Sequence, residues 1–219
     1  HQGQSLTYST AERVFNEIIL KADYVVDLHG GEYFESLPSN IEIKPTGEEE
    51  IDKKTRFLAR AFGFDLIWEV PKGSIPEMPN YPGRGSATTE APQNGIPAAV
   101  CEVGGEGKLE STLVDFTLEG LRNVMRTLQM LPGEEAPSVS PTVLIGGHVV
   151  FASRGGLVLT KVKAGQEVQK GEALGEIVDL SGNVVEKLNA PSHAILTNVG
   201  TLGLANPGDM LYVLGNLTK

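Results

Sequence analysis

The sequence predicts an α/β fold, a largely parallel sheet with flanking helices, followed by a small all-β domain. Three observations carry this expectation. Over residues 1–131, stretches of helical periodicity alternate with short apolar strands, the pattern of a sheet covered by helices. The segment Leu131-Pro132-Gly133-Glu134-Glu135-Ala136-Pro137 has the Pro, Gly and charge of a linker. Beyond it, residues 142–219 are rich in Gly and Val with short alternating runs and an internal repeat. The expected organisation is therefore an α/β domain at 1–131, a linker at 132–141 and a β-sandwich domain at 142–219.

In chain order, Ser9 and Glu12 have the spacing of a capping box, and Ala11, Val14, Phe15, Ile18 and Ile19 fall on one helical stripe. Tyr24 to Leu28 is apolar almost throughout and reads as a strand buried on both faces. It runs into Asp27-Leu28-His29-Gly30-Gly31. After a polar loop, Thr46 and Glu49 repeat the capping spacing ahead of a helix carrying Ile51, Leu58, Ala61 and Phe62 and stopped by Gly63. Asp65 to Val70 is a second strand. Prolines at 71, 76, 79 and 82 forbid regular structure up to Arg84, and so long a loop is usually a lid or binding loop. A short helix at 86–93, an Asn94-Gly95 turn, a third strand at 97–103 and a long helix at about 109–131 complete this half. In the second half, Leu159-Thr160-Lys161-Val162 recurs as Leu196-Thr197-Asn198-Val199. Gly171-Glu172-Ala173-Leu174 recurs as Gly208-Asp209-Met210-Leu211 at the same offset, so two strand-turn-strand copies form a two-fold sandwich.

Composition narrows the function. A net charge of −10 without clustered Lys and Arg argues against nucleic acid, and no apolar run is long enough to span a bilayer. The single cysteine, Cys101, excludes an intramolecular disulfide framework and suits a reducing, cytoplasmic compartment.

Chemistry concentrates at two strand ends. Strand side chains alternate, so Asp27 and His29 share a side while Leu28 points away into packing. Glu102 closes the third strand and is followed by glycines that let a ligand come close. If the two strands are parallel, Asp27, His29 and Glu102 meet at the carboxyl edge of the sheet, where open α/β sheets bind ligands. That trio suits either a metal site with a carboxylate base or plain acid-base chemistry. His29-Gly30-Gly31 also resembles the oxyanion segment of lipases, but no Gly-x-Ser-x-Gly elbow occurs. Cys101 faces the opposite side of its strand from Glu102 and reads as a core thiol. Of the four histidines, only His29 is a credible metal ligand, and a catalytic zinc normally takes three.

These segments carry a resemblance. Ala22 to Gly31, then Gly95-Ile96-Pro97-Ala98-Ala99-Val100-Cys101-Glu102-Val103-Gly104-Gly105, then a Gly-rich biotinyl-like tail, resemble the succinylglutamate desuccinylase/aspartoacylase family. These are zinc-dependent deacylases of the metallocarboxypeptidase superfamily. The resemblance implies a zinc carboxypeptidase-like first domain and a biotinyl/lipoyl-like barrel-sandwich second domain. It also implies His29 as a zinc ligand, Glu102 as the base that activates water, Asp27 as the partner holding His29, and hydrolysis of a small N-acyl amino acid. Zinc is the expected cofactor of the full-length protein. Arg84 is the one candidate for gripping a substrate carboxylate. The family's preceding His-x-x-Glu and Asn-Arg segments are not in this sequence, so the expectation is a fragment that lacks two zinc ligands and is inactive as it stands. The hairpin tip at Asp179 to Asn183 lacks a lysine, so neither biotin nor lipoate is expected. The alternative is a non-catalytic binding or scaffolding protein with a degenerate deacylase fold, whose β domain assembles copies into homo-oligomers.

Overall fold

A computed structural model describes residues 5–134 and 140–218. The centre of the expected linker, residues 135–139, lies outside the described residues. The elements of the first half are α1 (Leu6–Glu17), β1 (Val25–His29), β2 (Glu35–Ser36), β3 (Asn40–Ile43), α2 (Glu49–Ala61), β4 (Leu66–Glu69), α3 (Ala87–Gln93), β5 (Ala98–Glu102) and α4 (Ser111–Thr127). Those of the second are β6 (Thr142–Phe151), β7 (Gly156–Thr160), β8 (Glu167–Val168), β9 (Ala173–Val178), β10 (Val184–Asn189), β11 (Ala194–Gly200), β12 (Leu204–Ala205) and β13 (Met210–Leu217).

One sheet has the order β1-β5-β3-β4-β6-β13-β11-β2, with β8 also on β11; a second, antiparallel sheet has the order β10-β9-β7-β12. β1/β5, β3/β4 and β4/β6 are parallel, and β3/β5 is antiparallel. The α/β half is thus mixed but mainly parallel, with helices against it. β6, the first strand after the expected linker, pairs with β4 on one side and β13 on the other, so the same sheet carries residues from both halves.

Burial follows side-chain alternation. Ile41, Ile43, Ile67, Ala99 and Cys101 face α2 and α4, where they join Leu58, Phe62, Phe64 and Val124. On the other face, Trp68, Val70, Ile75, Leu144, Val149 and Val213 form a second cluster. Gly120 is required in α4, since a Cβ there would lie 2.9 Å from the Phe62 ring. In the second half, side chains from both sheets share one cluster that includes Leu174, Ile177, Leu196, Tyr212 and Leu214. The repeat makes equivalent turns. Glu172 Oε2 accepts the Gln169 amide and Asp209 Oδ2 accepts the Asn206 amide, each just after a glycine with positive φ.

Several expectations are corrected. α1 starts earlier than Ser9, because Ser5 is the cap and its side chain accepts the Tyr8 amide. Among the described residues none of α1's side chains is fully buried; of its apolar stripe Val14 and Ile18 are exposed, while Phe15 and Ile19 are half-buried, Ile19 against Ala91, Ile96 and Ala98. α2 has no Thr46–Glu49 capping box; the buried Asp52 carboxylate instead reaches back to the amides of Thr46 and Gly47. α4 ends at Thr127 rather than near 131. β1 is not buried on both faces, because among the described residues it pairs only with β5 and forms the sheet edge, which leaves Leu28 50% exposed. β3 lies in the stretch expected to be a polar loop, and all four of its residues are buried. No helix of the described residues is long and apolar enough to cross a membrane.

Leu196 is fully buried in the β cluster, whereas Leu180 is 94% exposed at a hairpin tip. Leu196→Ala is expected to cost about 2–5 kcal/mol of unfolding free energy, and Leu180→Ala less than about 0.5 kcal/mol, as measured by chemical denaturation.

Candidate active site

Parallel pairing of β1 and β5 places His29 directly opposite Glu102. His29 Nε2 lies 3.3 Å from Asp27 Oδ2, and His29 Nδ1 lies 3.8 Å from Glu102 Oε1. The three residues singled out from sequence are therefore together at one sheet edge, with the imidazole between two carboxylates. Asp27 and His29 are half exposed, while the Glu102 side chain is only 21% exposed. Burial pushes the Glu102 carboxyl up to about 7; His29 opposes this, while the charges of Glu42 and Glu35 add to it. A carboxyl balanced near neutrality can both take and return a proton. Cys101, one residue earlier, is buried on the opposite face, and burial pushes its thiol up to about 12, which suits the core role expected for it.

The loops that follow the two strands are fastened to each other. The Val103 amide donates to His29 O, the Leu37 amide to Gly104 O and the Glu106 amide to Glu35 O. Gly105 is needed for this closeness: a Cβ on it would lie 2.5 Å from Glu35 O. Strands of the second half then hold the first of these loops. β2 pairs with β11, the Thr201 amide donates to Phe34 O, and Asn198 Nδ2 donates to Glu35 Oε2.

Glu102 also lines a cavity of about 220 Å³ on the inner side of the sheet. Its polar wall is Glu35, Asn40, Glu42, Thr197 and Asn198, and its apolar wall includes Trp68, Ile75, Met78 and Val213. Ile75, Met78 and Tyr81 come from the proline-rich loop, so that loop is part of the cavity. Asn40, Glu42, Thr197 and Asn198 were not singled out from sequence. The available signal was the alternation Asn40-Ile41-Glu42-Ile43, in which the polar residues face the cavity and the isoleucines the core. Arg84 is not in this group. It is 85% exposed, its guanidinium is paired with Glu90 at 2.7 Å, and it does not line the cavity.

Among the described residues, no group of three or more His, Cys, Asp or Glu side chains is arranged to hold a metal. His29 offers one imidazole with a carboxylate behind it, whereas a catalytic zinc normally takes three protein ligands.

No protein-family model matches the chain, and no curated protein matches it. Solved structures do. The product-bound ectoine utilization protein EutE (DoeB) from Ruegeria pomeroyi superposes with a TM-score of 0.86 at 20% identity, over 98% of this chain and 64% of that one. This chain has the fold of the succinylglutamate desuccinylase/aspartoacylase proteins. A succinylglutamate desuccinylase/aspartoacylase from Rhodobacter sphaeroides matches with a TM-score of 0.83 at 18% identity, over 100% of this chain and 66% of that one. A succinylglutamate desuccinylase from a Silicibacter species matches with a TM-score of 0.79 at 17% identity, over 99% and 64%. The chain therefore spans about two thirds of the length of the structures it resembles.

The raised carboxyl makes stability depend on pH with a definite sign. In the folded state Glu102 holds its proton up to about 7, against an ordinary value of 4.5. Its contribution is therefore fully present below pH 4.5 and is lost as pH rises through 7. Glu102→Gln cannot ionise, so its melting temperature is expected to match wild type near pH 4.5 and to exceed it by roughly 2–6 °C at pH 8. Thermal denaturation at the two pH values checks this, and an equal offset at both contradicts it.

Proposed function

We propose that this chain carries the proton-transfer part of a deacylase site that hydrolyses small N-acylated amino acids. The observation that carries the reading is the register of His29 against Glu102 at the ends of two parallel strands, in a fold shared with deacylase-family proteins. In the proposed reaction a water molecule adds to the amide carbonyl, and Glu102 takes its proton. Glu102 then returns that proton to the leaving nitrogen as the carbon–nitrogen bond breaks, giving an amine and a carboxylic acid whose own proton passes to solvent. Partial burial of Glu102 suits both steps, since a carboxyl near neutrality is a competent base and a competent acid. Asp27, at the far side of the His29 ring, fixes its orientation.

Zinc is the cofactor we propose for the complete site, with His29 as one ligand. A zinc there needs further ligands that the described residues do not supply. The chemistry assigned to this chain's own residues is accordingly the proton transfer by Glu102. We further propose that residues 142–219 form a biotinyl-like β-sandwich whose role is structural or in assembly. At its hairpin tip Asp179 accepts the amides of Ser181 and Asn183, an arrangement that closes the turn and presents no lysine.

The reading is tested on the protein expressed from the complete gene, with its zinc content measured and N-acetyl and N-succinyl amino acids offered as substrates. Expected are near-stoichiometric zinc and hydrolysis whose kcat falls by about 100-fold or more in Glu102→Gln, with KM little changed. Hydrolysis that survives the substitution overturns the role of Glu102. Absence of both zinc and hydrolysis is the outcome expected of a scaffolding protein and overturns the reading as a whole.

A further inference from the structure

The outer face of the second sheet has the composition of an inner one. An antiparallel sheet with one face in water normally turns apolar residues inward and polar residues outward. Here register places Leu204, Leu157, Val178 and Val184 in one row across β12, β7, β9 and β10. Their strand neighbours Ala205, Val158 and Ile177 belong to the cluster between the two sheets, so by alternation this row points outward. Leu159 lies two residues along β7 on the same side. Leu157, Leu159, Val184 and Leu204 are each between 40% and 60% exposed. Four large aliphatic side chains set side by side form a contiguous patch, and such patches mark binding faces.

The charges on this face are close to balanced. A second row sets Leu159, Glu176 and Lys187 in register. Glu176 Oε2 takes Lys161 Nζ at 3.0 Å, while Lys187 has no acidic partner among the described residues. The molecule as a whole carries a net charge of −10. Copies of the chain therefore repel one another over most of their surface and least at this face, where one acid stands between two lysines.

We propose that this face is an interface between two copies of the chain, the outer faces of their second sheets stacked about a two-fold axis that runs along β9. A two-fold axis sets one patch against its own image, so the patch needs an apolar centre and charges of both signs to complement itself. This face has both. The axis lays Leu157 of each protomer over Val184 of the other, and it puts each Lys187 one strand, about 5 Å, to the side of the other protomer's Glu176. Stacked sheets lie about 10 Å apart, a gap that the facing aliphatic side chains fill. The inference makes specific the assembly role proposed above for residues 142–219 and draws nothing from the deacylase chemistry.

The test is sedimentation equilibrium on the protein from the complete gene over a range of concentrations, where a reversible dimer is expected. Leu157→Glu and Val184→Glu, both at exposed positions, should each raise the dissociation constant by about 30-fold or more with an unchanged circular dichroism spectrum, and either variant suffices if the other fails to fold. Lys187→Glu and Glu176→Lys should each weaken the dimer by about tenfold. An equimolar mixture of these two charge variants is expected to associate at least about tenfold tighter than either alone, with a gain that shrinks as salt is raised. A monomer at every concentration overturns the proposal. A dimer that none of the four substitutions weakens uses another face and overturns it equally, as does a mixture that associates no better than its separate components. Hydrolysis of N-acyl amino acids is assayed on the same protein. A monomer that hydrolyses them refutes this inference and leaves the deacylase reading standing, whereas a dimer of the expected kind without hydrolysis does the reverse.

Discussion

The chemistry proposed for this protein depends on the parallel pairing of β1 with β5. A parallel ladder aligns the carboxyl ends of both strands, so two short sequence segments far apart in the chain deliver His29 and Glu102 to one place. The register is a strict requirement. A slip of one residue would turn Glu102 to the opposite face and bring Cys101 in its place. The loops beyond the strands secure the register through backbone hydrogen bonds at Val103, Leu37 and Glu106, and Gly105 permits the approach because it lacks a side chain. The positions of the two site residues are thus held by main-chain contacts that tolerate little change.

The second half of the chain takes part in this arrangement. β6 extends the sheet from β4, and β13 and β11 extend it further, until β11 meets β2 just after the first site loop. The cavity behind Glu102 consequently has one wall from β3 and β4 and another from β11 and β13. Burying Glu35, Glu42 and Glu102 around one small space is electrostatically costly. Asn198 and Lys44 offset part of that cost, and the remainder appears as the raised carboxyl of Glu102.

Much of this was legible in the sequence. The alternation of helices and strands gave the α/β class, the strand-end residues Asp27, His29 and Glu102 were identifiable by type and position, and the Gly-acid turns of the repeat were visible by self-similarity. The missed features have physical causes. β3 reads as polar because half of its residues face a cavity and not a core, so a true period of two looked like a loop. Leu28, Val14 and Ile18 look like core positions, and they are exposed because β1 is the sheet edge and α1 has no fully buried residue among those described. Thr197 and Asn198 could not be found from local pattern, since their importance arises only when β11 is brought against the first half. Arg84 was chosen by charge alone, and its nearest acid, Glu90, claims it.

The central claim is that His29 and Glu102 act as one unit. A double-mutant cycle in the protein from the complete gene tests it most directly, using His29→Gln, Glu102→Gln and the pair, with kcat/KM for an N-acyl amino acid as the readout. The account predicts that each single substitution removes about 100-fold or more and that the double variant is scarcely worse than either. Losses that multiply as though the two residues were independent would contradict it.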